Sequence, residues 1–92
     1  MKPTIKFSFH ALEKLIEREI SPAEVSEALS RSEVIESYPD DFPLPSKLLL
    51  GFAGMRPLHM VVADNTPCNS VIIVTAYEPD PLLWKDGFRR RN

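Results

Sequence analysis

The sequence predicts an α+β domain in which two short N-terminal helices pack on an antiparallel sheet of about four strands. Three observations carry that prediction. Apolar residues recur at helical spacing up to residue 20, a capping box stands at Ser21-Pro22-Ala23-Glu24, and from residue 33 onward strand-forming runs alternate with turn residues.

Phe9, Leu12, Leu15, Ile16 and Ile20 fall on one helical stripe roughly 140° wide at 100° per residue, with Ser8 as N-cap. Ser21 and Glu24 form a capping box with Pro22 at the first helical position, so a second helix starts there and buries Val25, Ala28 and Leu29. It ends near Arg31-Ser32. Glu33 to Tyr38 then reads as a strand, and Pro39 to Pro45, with three prolines and two aspartates, as an irregular connection.

Ser46–Ala53, Leu58–Asp64 and Ser70–Glu78 read as a meander, with turns at Gly54-Met55-Arg56-Pro57 and at Asn65–Asn69. Alternation puts Leu48, Leu50 and Phe52 on one face with Leu58, Met60 and Val62 and with Ile72, Val74 and Ala76. That face is expected to receive the helices. The opposite face then carries Lys47, Leu49, Gly51, His59, Val61, Ala63, Ile73, Thr75 and Tyr77. The tail from Pro79 to Gly87 permits at most a helical turn.

Ninety-two residues suit one core, so residues 1–92 are read as a single domain. With 43% hydrophobic and 26% charged residues the chain has the balance of a folding globular protein. No apolar run approaches the roughly 20 residues that span a bilayer, Met1 to Lys6 leads into no signal-peptide pattern, and Cys68 is the single cysteine. A cytoplasmic location fits these features. Eleven basic against thirteen acidic residues give a formal charge of −2, which argues against nonspecific nucleic-acid binding. Lys85, Arg89, Arg90 and Arg91 nevertheless crowd one end and leave room for a local basic site.

If the turn after Asp64 pairs it with Ser70 or Val71, His59 comes opposite Thr75 or Ala76, with Tyr77 one diagonal step away and Arg56 near the same sheet edge. A base, a cation and an aromatic so grouped are what metal-independent RNA cleavage needs. The competing structural reading has His59 paired within the sheet and Tyr77 closing the core. His10 lies off the apolar stripe and is a second candidate acid or base, against a plain solvated histidine. Arg18 suits a phosphate or a neighbouring carboxylate. Trp84 beside Lys85 and Arg89 either pins the tail or stacks on a base. No ligand spacing supports a metal site, and Gly51 and Gly54 form no phosphate loop, so neither metal nor cofactor is expected. Gly51 is instead a strand position that permits close approach.

Taken together, Phe9-His10-Ala11, Glu17-Arg18-Glu19-Ile20-Ser21, Gly54-Met55-Arg56-Pro57-Leu58-His59 and Tyr77-Glu78-Pro79-Asp80-Pro81-Leu82-Leu83-Trp84 resemble a family of small prokaryotic proteins of unknown function. The family pattern has His-Ala on the first helix, Arg-Gly-Ile-Ser, an Arg-Pro-Leu-His hairpin and a Tyr-Glu-Pro-Asp-Pro-x-x-Trp ending. Here Glu19 stands where glycine is usual, which predicts a less sharply bent link. That family is similar to the RelE-like toxin superfamily. The resemblance implies helices on a curved antiparallel sheet, metal-independent mRNA cleavage with or without the ribosome, and a zinc-finger antitoxin of the MqsA type as partner. It favours His10, Arg18, Arg56, His59, Tyr77 and Trp84 as functional residues.

Two function classes follow. One is the toxin of a type II toxin-antitoxin pair, an endoribonuclease using His10, Arg56, His59 and Tyr77, with Arg18, Trp84, Lys85 and Arg89 on the RNA. The other is a noncatalytic protein-interaction module on the same fold.

Overall fold

Strand β1 (Thr4–Phe7) leads through Ser8 into α1 (Phe9–Glu17), followed by α2 (Pro22–Ser30), β2 (Glu33–Tyr38), β3 (Ser46–Ala53), β4 (Arg56–Asn65), a 3-10 turn (Thr66–Cys68) and β5 (Ser70–Tyr77). A small hairpin of β6 (Trp84–Lys85) and β7 (Arg90–Arg91) closes the chain. This computed structural model describes residues 4–91. Met1 to Pro3, the start of the segment read for a leader, and Asn92, the last residue of the domain read as 1–92, lie outside the described residues.

The α+β class stands, with a larger sheet than expected. Five strands run in the order β1-β5-β4-β3-β2, with β2 to β5 antiparallel and β1 parallel to β5 from Thr4↔Ser70 to Phe7↔Ile73. A four-residue strand whose partner lies more than sixty residues away has no local turn signal to announce it. The tail makes one turn, with Leu83 N–H donating to the Asp80 carbonyl at 2.9 Å, and the unexpected β6–β7 hairpin follows it. Asp86, Gly87 and Phe88 all have positive φ (54°, 67° and 72°) and reverse the chain, although only Gly87 carries the usual sequence mark of that conformation.

Helix α1 starts where the Ser8 hydroxyl accepts the Ala11 N–H at 3.0 Å. It ends in a Schellman arrangement: Ile20 N–H donates to the Leu15 carbonyl at 2.9 Å and Glu19 N–H to that of Ile16 at 3.2 Å. Glu19 itself takes φ 57°, so the bend is as sharp as a glycine would make it and the expected softer link is corrected. Buried Leu15 and Ile20 fix the apolar side of the motif. The α2 capping box is complete, with Ser21 and Glu24 exchanging bonds of 2.9 and 3.1 Å.

Ala11, Leu15, Ile20, Val25, Ala28, Leu49, Leu58, Met60, Val62, Ile73 and Ala76 form the core between the helices and the sheet. Three expected facings change. On α1 the buried side is Ala11 and Leu15, while Phe9 and Ile16 are 78% and 79% exposed. On β3 it is Leu49, not Leu48 or Leu50, that joins the core. Gly51 shares Leu49's face, and a Cβ built there would run into the Ala28 carbonyl of α2, so the strand must turn its glycine to the helix. On β5 Ile73 and Ala76 are fully buried rather than Ile72 and Val74, because a bulge breaks the register between Val61 and Val62.

Candidate active site on the sheet face away from the helices

His59 belongs to the face opposite the helices, since its neighbours Leu58 and Met60 both enter the core. Its cross-strand partners there are Leu50 on β3 and Tyr77 on β5. The β4–β5 register runs from Asn65↔Ser70 through Asp64↔Val71, the second of the two expected pairings, but after the bulge Val61 meets Thr75 and His59 meets Tyr77 directly. The bulge therefore moves Tyr77 from a diagonal position to the facing one.

The imidazole is 0% exposed. Its Nε2–H donates to the Phe88 carbonyl at 2.8 Å, which leaves Nδ1 to accept the Tyr77 hydroxyl at 3.3 Å. Trp84 of β6 closes over it edge-on, with ring centroids 4.3 Å apart. Burial pushes the histidine pKa down, only partly opposed by the Phe88 bond, so the ring is neutral at pH 7. Burial pushes the Tyr77 phenol up, while Arg91 and then Arg18 draw it back. Tyr77 thus bonds a buried neutral base and lies within the electrostatic reach of two guanidinium groups.

Arg18, the C-cap of α1, reaches the edge of β5 and donates through Nη1 to Thr75 Oγ1 at 3.1 Å and to the Ala76 carbonyl at 2.8 Å. That carbonyl lies beyond Phe7↔Ile73, where β1 stops pairing with β5. Arg91, on β7, lies over the Trp84 ring at 5.6 Å. Arg91 went unrecognised in the sequence as a member of this group, because only the unforeseen hairpin brings it there. Tyr38 was missed as well. Its hydroxyl donates to Glu36 at 3.0 Å, and burial, then Glu36, raise its pKa, with smaller effects of the neighbouring Tyr77 and Asp41.

The other expected site residues lie elsewhere or are engaged. Arg56 clasps the helix link, donating to Glu78 at 2.7 Å, to Glu24 and the Glu19 carbonyl at 3.0 Å each, and to the Arg18 carbonyl at 3.3 Å. The Glu78 and Glu24 bonds hold its guanidinium charged. Arg89 forms a two-pronged pair with Glu33 of β2 at 2.8 and 3.0 Å, which ties the hairpin to the sheet. Lys85 is exposed on β6, on the hairpin that carries Trp84. His10 is exposed on α1, across the sheet from His59. The structure thus gathers Arg18, His59, Tyr77 and Trp84, leaves His10 on the other side of the sheet, and keeps the Arg56 guanidinium next to the group but engaged with Glu24, Glu78 and the helix-link carbonyls.

Among the described residues no group of three or more His, Cys, Asp or Glu side chains is placed to hold a metal, and no helix is long and apolar enough to cross a membrane. Chemically, the group can hold an anion at Arg18 and Arg91 and pass a proton between Tyr77 Oη and His59 Nδ1.

An α+β domain with a helix pair on one sheet face and a tyrosine-histidine pair on the other is what fold and site define. The chain belongs to the family described as Domain of unknown function (DUF4258), which matches residues 7–78. The match includes His10, Arg18, Arg56, His59 and Tyr77 and ends before the hairpin that carries Trp84, Lys85 and Arg89. No curated protein and no solved structure matches the chain.

Proposed function

We propose that the domain is a metal-independent endoribonuclease, the toxin of a toxin-antitoxin pair, with Tyr77 at its centre. The observation that carries this reading is the Tyr77 hydroxyl held on His59 Nδ1, with Arg18 bonded to the adjoining Thr75 and Ala76 and Arg91 on the Trp84 ring that covers His59. In the reaction, Tyr77 Oη takes the proton of the RNA 2′-hydroxyl as its own passes to His59. The 2′-oxygen bonds to phosphorus, the bond to the 5′-oxygen breaks, and the proton returns through Tyr77 to that leaving oxygen. Arg18 and Arg91 offset the charge of the phosphorane. The products are a 2′,3′-cyclic phosphate and a 5′-hydroxyl. Lys85 and Trp84 flank the path of the strand, and the resemblance to RelE-like toxins adds mRNA or the ribosome as target and a zinc-finger antitoxin of the MqsA type as partner. Induced expression should slow bacterial growth with transcript cleavage that survives EDTA. Normal growth and intact RNA at high expression would sink the proposal.

A second reading, a noncatalytic interaction module, is favoured by one specific observation: Phe9, Leu12 and Ile16 form an exposed apolar stripe on α1. Robust cleavage by the pure protein, lost in Tyr77→Phe, would eliminate it.

A further inference from the structure

Beside the tyrosine-histidine pair, on the same sheet face, lies a cleft of about 260 Å³. Val61 and Val74 form part of its floor, Phe42 and Leu44 a wall, and Asp41 a polar wall. The lining is mainly apolar, and Phe42 is 94% exposed and Val74 41% exposed, so the fold leaves both uncovered. Tyr38 borders this cleft, because it pairs with the lining residue Ser46 across β2 and β3, and its hydroxyl donates to Glu36, which pairs with Leu48 two residues further toward His59. Charge is unevenly spread over the face: Arg18 and Arg91 belong to the Tyr77 group, Asp41, which accepts the Ser46 hydroxyl, lines the cleft, Glu36 stands between the two, and Lys6, paired with Ile72, borders the far side.

We infer that the cleft receives a partner protein's segment in which an apolar side chain is flanked by lysine or arginine. The apolar side chain fills the space against Val61, Val74 and Phe42, and the basic neighbour meets Asp41 and Glu36. RNA is the wrong occupant, because its phosphates would meet those two carboxylates. A second copy of this acidic chain is also disfavoured, since two such rims would face each other across a two-fold contact. A segment lying in the cleft and continuing past Tyr38 covers Tyr77. The partner so bound blocks the proposed active site; this last point alone rests on the ribonuclease reading.

The test uses the full chain and two labelled octapeptides, one alternating leucine with arginine and one alternating leucine with glutamate, followed by fluorescence anisotropy at low and high salt. The arginine peptide is expected to bind and the glutamate peptide not. Phe42→Ala, at a side chain too exposed to matter for folding, should weaken binding at least tenfold, and Asp41→Asn several-fold with a flatter salt dependence. Equal binding of both peptides, unchanged affinity in both variants, or no binding at millimolar peptide would overturn the inference. So would a dimer in sedimentation that Phe42→Ala dissociates. An RNA-cleavage assay separates the two proposals: peptide binding without any cleavage removes the ribonuclease and leaves the cleft assignment standing.

Discussion

Tyr77 stands directly across the ladder from His59, although the Asp64↔Val71 pairing continued without a break would put Ala76 there. One extra residue on β5, opposite Val61 and Val62, brings the phenol over the imidazole and leaves Ala76 to the core.

Tyr77→Phe and Arg56→Ala separate chemistry from structure. Loss of the Tyr77 hydroxyl should lower single-turnover RNA cleavage by about 100-fold or more, with stability down only about 1 kcal/mol for the unpaired Nδ1. Arg56→Ala should do the reverse, costing on the order of 1–2 kcal/mol through the lost carbonyl bonds while the folded fraction cleaves at the normal rate. A rate collapse in folded Arg56→Ala would return Arg56 to the active site.

Acid should loosen the fold through His59. Its folded-state pKa lies below the ordinary value of 6.5, so below that pH the unfolded chain binds a proton that the native chain does not. His59's contribution is fully present above pH 6.5 and is lost as pH falls, at most about 1.4 kcal/mol per pH unit. Glu24, held low by its Ser21 backbone bond and then by Arg56, and Glu33, held low by Arg89, lose their contributions only below about 4.5. Urea midpoints between pH 7.5 and 5 should therefore fall in the wild type and fall less in His59→Gln.

Gly51→Ala should destabilise by about 1–3 kcal/mol, the usual range for overpacking. The added methyl has nowhere to go but into the Ala28 carbonyl, so α2 must lift from β3. Calorimetry checks this, and an unchanged Tm would mean that the helix-strand contact is looser than described.

Glu19→Gly should stabilise. The residue occupies φ 57°, where a side chain costs about 1 kcal/mol that glycine avoids. The Arg56 bond is to the backbone carbonyl and survives the change. Chemical denaturation should show a midpoint shift with an unchanged m-value.

Local signals announced local structure. Ser8, the Ser21–Glu24 box and Gly54, which takes φ 62° in the two-residue Gly54-Met55 loop, were legible because each acts within four residues. Which strand face meets the helices was not, since Leu48, Leu49 and Leu50 are equally apolar and only the distant Ala28 carbonyl decides among them. His59 and Tyr77 were grouped as the register has them, whereas His10 was joined to them by its place off the apolar stripe and by the family resemblance, neither of which says on which side of a sheet a helix lies. Arg91 and Tyr38 enter the group through the hairpin and through tertiary contacts that no spacing encodes.

The parallel pairing of β1 with β5 joins nearly the first described residues to nearly the last of the sheet. During synthesis Thr4 to Phe7 emerge first and must wait, unpaired along one side, until Ser70 to Ile73 leave the ribosome. The same delay applies to His59, whose partner Tyr77 and cover Trp84 come later still. An incomplete chain therefore carries no assembled tyrosine-histidine pair. The proposed cleavage chemistry is thus assembled only after the chain through Trp84 has left the ribosome.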